Sequence, residues 1–295
     1  MNVDLNKMME SITNLHDQTG KFINETNFQP APDSQAMKER NSFPREESVV
    51  TAHSQGWLLF EAAADQLMGL TKLLTEPVQT IAPWTSVRAL IEASALAAWL
   101  LNPNIDVSTR VQRSFAFRFD GLTEQVKFLR ALDNKIELAK AILRIDHVEK
   151  LALELGYPRI EKDDKRTGIG QNMPSVTEIV KLELLDQEAA YRLSSAMIHV
   201  HGWAITQLSF KTLEEATMVV NGGDGSSFSI NALEKHMDSR SVIYLSQNAL
   251  VSFARPIWYQ CVLFGWNRDI LQKILNENFD VMNIGEDKRF WNQRL

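Results

Sequence analysis

One stretch limits what this chain can fold into more than any other. Residues 87–101 read VRALIEASALAAWLL, apolar at almost every position and interrupted chiefly by Arg88 and Glu92. A helix that is apolar on every face has to be covered on every face. The run is too short and too charged to span a membrane, which takes roughly 20 predominantly apolar residues. It is therefore expected to be a buried core helix, with the rest of the chain wrapped around it.

The flanking sequence supplies the cover. Leu5, Met8, Met9, Ile12, Leu15 and Phe22 mark an amphipathic helix over residues 3–22. Residues 24–47 turn polar and carry Pro30, Pro32 and Pro44, which suits a linker or an arm lying over the body. Ser48 reads as the N-cap of a long helix to Leu74, stopped by Pro77. A helix over residues 78–101 follows, with Pro83 either kinking it or marking its true start. Further helices are expected over residues 106–132 and 135–155, the second closed by Gly156 and Pro158. After a charged loop at 159–174, Ser175 caps a short helix, and a longer one covers 185–210. Residues 221–227, NGGDGSS, are turn chemistry. A last long helix runs over 231–266 with Pro256 inside, and a shorter one ends near Asn278. Residues 217–220 and 227–230 form one short strand pair at most. The expected fold is an all-α helical bundle of about eight helices. It divides into an N-terminal helix and polar linker (1–47), a bundle domain (48–278) and an irregular tail (279–295).

Composition narrows the function classes. With 44% hydrophobic and 23% charged residues, the 295-residue chain has the balance of a soluble globular protein. A net charge of -6 argues against a general nucleic-acid coat, though it leaves room for a local basic patch. The single cysteine, Cys261, excludes an intramolecular disulfide and a cysteine-based zinc cluster. It lies within IWYQCVLFGW, where a buried, inert thiol is expected, and it suits a reducing cytoplasm. The N-terminus lacks the basic start and apolar run of a signal peptide, so a cytoplasmic location without membrane attachment is expected.

The densest chemistry on an apolar segment is residues 187–203, QEAAYRLSSAMIHVHGW. Arg192 and His199 are seven apart and return to nearly the same helical face, and Ser195 lies one turn before His199. An imidazole can take the proton of a ribose 2′-hydroxyl, and a guanidinium can hold the phosphate as charge builds on it. The structural alternative makes Arg192 an exposed charge and His199 a satisfied interior histidine. Ser195 beside His199 also suggests a nucleophile and base, but no glycine-flanked elbow surrounds the serine. His199 and His201 are two apart, so an unbroken helix points them about 200° away from each other. They could share a ligand only if the helix broke at Gly202. No Glu-x-x-His pair is present for a di-iron site, and neither metal nor cofactor is expected. Arg88 and Glu92, one turn apart, make either a buried ion pair fixing the bundle's register or, with Tyr191, a substrate-binding wall. Arg159, Lys162, Lys165 and Arg166 beside Gly168 and Gly170 suit a solvated loop better than a phosphate cradle. Arg110, Arg113, Arg118, Lys127 and Arg130 read as a mixed, solvated helix face.

Two stretches carry a resemblance. RALIEASALAAW (88–99) and YRLSSAMIH (191–199) resemble a group of bacterial all-helical proteins marked by R-x-x-x-E and Y-x-x-L-S-x-x-x-H patterns. A more distant likeness is to the HEPN superfamily of helical bundles, whose motif is an Arg, four to six residues, then a His; Arg192 and His199 have six between them. Active members usually carry a polar residue directly after the Arg, where this chain has Leu193. The resemblance implies a metal-independent ribonuclease or toxin, with RNA as substrate and a homodimer with a composite site. It further implies an antitoxin or phage-defence partner. His199 would be the base and Arg192 the phosphate clamp. The competing expectation is a non-enzymatic binding or scaffold protein in which Arg88, Glu92 and His199 form a buried network.

Overall fold

A computed structural model of the chain describes residues 5–221 and 227–281. In order these are α1 (Leu5–Glu25), α2 (Gln35–Ser42), α3 (Glu46–Leu73), α4 (Ala82–Leu101), α5 (Val107–Ala131) and α6 (Lys135–Glu154). Then come β1 (Arg159–Lys162), β2 (Lys165–Ile169), β3 (Gln171–Asn172), α7 (Val176–Glu183), α8 (Glu188–Ile198) and α9 (Gly202–Ser209). β4 (Phe210–Asn221), β5 (Ser227–Lys235), α10 (Ser239–Phe264) and α11 (Arg268–Val281) complete the order. The all-α class holds, but the described residues form eleven helices rather than eight. Beyond the nine helical stretches placed above, the two extra are α2 and the second piece of what reads as one helix over 185–210.

The apolar run sits where its composition demands. α4 packs against α3, α5, α7, α8 and α10, and Trp84, Leu90, Ile91, Trp99, Leu100 and Leu101 are all buried. Each such side chain contributes roughly 1.5–3 kcal/mol by leaving water. Pro83 stands in the first turn of α4, its true start rather than a kink, where the missing N–H costs nothing. Where α3 meets α4, the Leu101 side chain sits against Gly56: a Cβ there would lie 2.5 Å from it. A second, smaller core joins α5 and α6 through Phe115, Phe119, Leu129, Ile145 and Val148, closed by Tyr157 and Ile169.

Several boundaries differ from the sequence expectation for local reasons. α3 begins at Glu46 with no side-chain cap, two residues before Ser48, because Glu46 and Glu47 already stabilise its positive end. Residues 24–34 form an arm on the body: the Trp266 indole N–H donates to Gln29 O at 2.8 Å, and Ala31 N–H donates to Phe264 O at 2.8 Å. The loop at 159–174 is instead a three-stranded sheet, β1-β2-β3, turned at Asp163 and Asp164 with φ of 51° and 56°, the left-handed pair that a tight hairpin needs. β4 and β5 form an antiparallel ribbon much longer than the strand pair expected. Leu213 and Leu233 on it are exposed, so these two apolar positions carry no alternation of buried and exposed residues that would betray a strand. α10 accordingly starts at Ser239, capped by Asp238, not at Asn231. Residues 222–226 of the turn expected at 221–227, and the tail beyond Val281, lie outside the described residues.

Candidate functional site

The end of α8 is where sequence and structure part most informatively. Rather than running on to residue 210, α8 stops at Ile198, and α9 restarts at Gly202. The stop is a Schellman-type closure: His201 N–H donates to Ala196 O at 3.0 Å and Val200 N–H to Met197 O at 3.2 Å. The same pair of bonds ends α5, α6 and α10, with Asp133, Gly156 and Gly265 in the left-handed conformation. In α8 that position is Val200, at φ 57°. A β-branched residue there is strained, by an amount on the order of 1–2 kcal/mol.

The break has a chemical consequence. An unbroken helix would turn His199 and His201 away from each other; here their ring centroids are 6.3 Å apart with planes at 62°. Both rings are exposed, so His199 is not an interior histidine. Beside them Val200 and Trp203 stand out into solvent at 70% and 55% exposure. Arg192 is exposed and its Nε donates to Glu188 at 2.7 Å, a carboxylate that Lys181 also engages at 3.2 Å. It begins about 10 Å before His199 along the helix and leans away from it toward the N-terminus. The two are thus not gathered onto one point within a protomer. Ser195 is half-buried, and its carbonyl rather than its hydroxyl meets His199, accepting the backbone N–H at 3.0 Å. In the second motif Tyr191, Ser195 and His199 keep the pattern's spacing, but Ser194 stands where the pattern has Leu, and Leu193 lies one residue early.

Arg88, Glu92 and Tyr191 do come together, at the other end of α8. Arg88 Nη2 lies 3.0 Å from Glu92 Oε1, which also accepts from the Tyr191 hydroxyl at 3.0 Å. The Arg88 guanidinium stacks 5.6 Å above the Tyr191 ring. Burial works against the Arg88 charge, but the Tyr191 hydroxyl and Glu92 outweigh it and hold its pKa above the ordinary value. Tyr191 precedes His199 by eight residues, about 12 Å along the axis, so this cluster is separate from the histidine pair. Its geometry is that of an ion pair within α4, tied to α8 by the Tyr191 hydroxyl and ring.

The most heavily buried charges were not singled out by the sequence. Arg110 is 0% exposed and grips Glu39 of α2 with two bonds, at 2.9 and 3.1 Å. Its remaining N–H groups donate to Leu100 O and Asn102 O at the bare end of α4. Arg113 donates to Trp99 O at 2.6 Å and pairs with buried Glu183 at 3.2 Å. Two guanidinium groups thus satisfy the orphan carbonyls of the central helix and complement its negative end. This corrects the reading of these arginines as a solvated face. His53 of α3 closes the first cluster, its Nε2–H donating to Glu39 at 3.2 Å. Burial alone would raise the Glu39 pKa, but His53 and Arg110 outweigh it and hold the carboxyl below its usual range. For Glu183 and Arg113 burial wins, pushing the carboxyl up and the guanidinium down despite their contact. One signal could have found the arginines: an all-apolar helix ending at Asn102-Pro103 needs cations nearby, and α5 supplies two on its first turns.

The other candidates are accounted for structurally. Arg166 pairs with Asp146 at 3.3 Å and Glu149 at 3.0 Å, and Arg159 with Glu161 at 2.6 Å, so these loop cations face carboxylates. Cys261 is buried and its thiol is pushed up to about 12 by burial. Among the described residues no group of three or more His, Cys, Asp or Glu converges as for a metal, and no helix is long and apolar enough to cross a membrane. Compared with family models, curated proteins and solved structures, the chain finds no match.

Proposed function

We propose that the chain is a metal-independent ribonuclease in which His199 and His201 act as the acid–base pair. The observation that carries this is the 6.3 Å separation of two exposed imidazoles at a strained helix break. Cleavage of RNA by transesterification needs two proton transfers on opposite sides of one phosphorus. A neutral imidazole takes the 2′-hydroxyl proton as that oxygen bonds to phosphorus. A protonated imidazole gives its proton to the departing 5′-oxygen, leaving a 2′,3′-cyclic phosphate. His199 is assigned as the base, in keeping with the HEPN-like spacing, and His201 as the acid. Arg192, some 10 Å back along α8, holds a neighbouring phosphate or reaches the reacting one from a second protomer. Exposed Val200 and Trp203 beside the histidines offer the apolar contact that a homodimer would cover.

The test is incubation of purified wild type, His199→Ala and His201→Ala with a mixed RNA pool in EDTA. Cleavage by wild type alone, leaving cyclic phosphate ends, is the expected result. Since one imidazole must be neutral while the other is charged, the rate should be bell-shaped in pH. Undiminished cleavage in His199→Ala would sink the reading; undiminished cleavage in His201→Ala would remove the acid role from His201.

A second reading has an observation of its own. The buried Glu39–His53–Arg110 cluster is the kind of Arg-Glu-His network a scaffold would use to fix helix register, although it is built from residues other than Arg88, Glu92 and His199. This reading expects no cleavage in any variant, and it makes His199→Ala as stable as wild type because His199 is exposed.

A further inference from the structure

An open groove of about 700 Å³ lies between α3, α5 and α6. That volume falls in the range of small-molecule sites. Its walls include Phe117, Leu122, Phe128 and Val148, and its polar groups include Arg118, Arg144 and His147. Phe128 is 61% exposed, a large ring held out at the groove wall.

Arg118 is the informative residue. It is half-buried, and among the described residues it makes neither a hydrogen bond nor an ion pair; its contact is with the Phe115 ring at 5.9 Å. Desolvation lowers its pKa with no opposing charge to restore it. A half-buried guanidinium without a counter-ion keeps unsatisfied donor capacity at the groove, whereas three other buried or half-buried arginines have a carboxylate: Arg110 has Glu39, Arg113 has Glu183, Arg166 has Glu149. Glu124, the acidic residue among those lining the groove, is engaged by Lys127 at 2.6 Å. Arg144 and His147, exposed on α6, add positive or donor groups to the same rim.

We infer that this groove binds a small amphiphilic anion, an apolar body carrying one carboxylate or phosphate, with the headgroup on Arg118 and the body against Phe117, Leu122, Phe128 and Val148. A planar guanidinium takes either oxyanion through two parallel hydrogen bonds. The apolar walls exclude a purely polar ion as the preferred ligand, and the unpaired cation disfavours a neutral one. The site stands apart from the histidine pair of α8 and does not depend on ribonuclease activity.

Calorimetric titration of the full chain with decanoate, decyl phosphate and decanol, each below its aggregation concentration, tests this. At least one of the two anions should bind with one-to-one stoichiometry and decanol about tenfold more weakly; the tighter anion identifies the headgroup. Arg118→Gln should bring the anion down to the level of decanol while leaving decanol unchanged. Arg144→Gln, on an exposed side chain that leaves the fold intact, should weaken the anion about threefold. Decanol binding as tightly as both anions would overturn the proposal. So would the absence of binding by either anion, or anion binding that Arg144→Gln and a folded Arg118→Gln both leave unchanged.

Discussion

The Nδ1 atom of His53 is buried and has no hydrogen-bond partner, while Nε2 faces Glu39. A second proton would therefore place a bare N–H in the interior, and burial lowers the His53 pKa despite the nearby carboxylate. The linkage follows. As pH falls below the ordinary imidazole value, the unfolded chain takes up a proton that the folded chain refuses, so stability declines from about 6.5 downward. Glu39, held below its usual range, adds a loss in the same direction at lower pH, as its carboxylate is neutralised. His53→Gln keeps a donor for Glu39 but cannot titrate. Urea unfolding at pH 7.5, 6 and 5 should show a shallower decline for the variant, by at most about 1.4 kcal/mol per pH unit. An unchanged slope would mean that His53 takes up its proton as readily in the folded chain as in the unfolded one. The lining of His53 was half legible, since Val49, His53, Gly56 and Phe60 share one helical face. Its partners were not: Glu39 and Arg110 are 71 residues apart in the chain and look like any surface charges until the fold buries them.

Among elements, those defined by burial were readable and those defined by a local backbone event were not. α4 announces itself, because a helix without a polar face can only be central. The break after α8 does not, since Ala204, Ile205 and Leu208 continue the apolar period and Gly202 alone hints at an interruption. A valine in the left-handed position runs against the propensity that makes glycine the usual terminator. The sequence therefore placed His199 and His201 on opposite faces, and only the break brings the two rings near each other, edge to face. Val200→Gly should relieve the backbone strain and cost some unfolded-state entropy, for a net gain of about 0.5–1 kcal/mol. Thermal denaturation checks the gain. If the strain serves only to hold the two rings in place, cleavage by Val200→Gly should fall while stability rises. Cleavage equal to wild type would show that the hydrogen bonds of the closure fix the rings unaided.

At the scale of the whole molecule, the separation of Arg192 from His199 bears on assembly. Within one protomer the guanidinium leans toward Glu188, away from the imidazoles, so under the proposed reading a phosphate between His199 and His201 would lie away from it. A two-fold axis near the end of α8 would bring the Arg192 of one protomer toward the histidines of the other and would cover Val200 and Trp203. Under the proposed ribonuclease reading, net charge -6 would make such a clamp matter more, because the chain as a whole would repel RNA and only local cations could hold it. Mixing inactive variants decides between the arrangements. Arg192→Ala and His199→Ala protomers, unfolded together and refolded at equal concentration, give half mixed dimers, each with one site built from two wild-type contributions. Activity should return to about a quarter of wild type if the site is composite under two-fold symmetry. If each site lies within one protomer, the mixture gains nothing over its two inactive parents, and Arg192 would then serve a phosphate further along the strand rather than the one being cleaved.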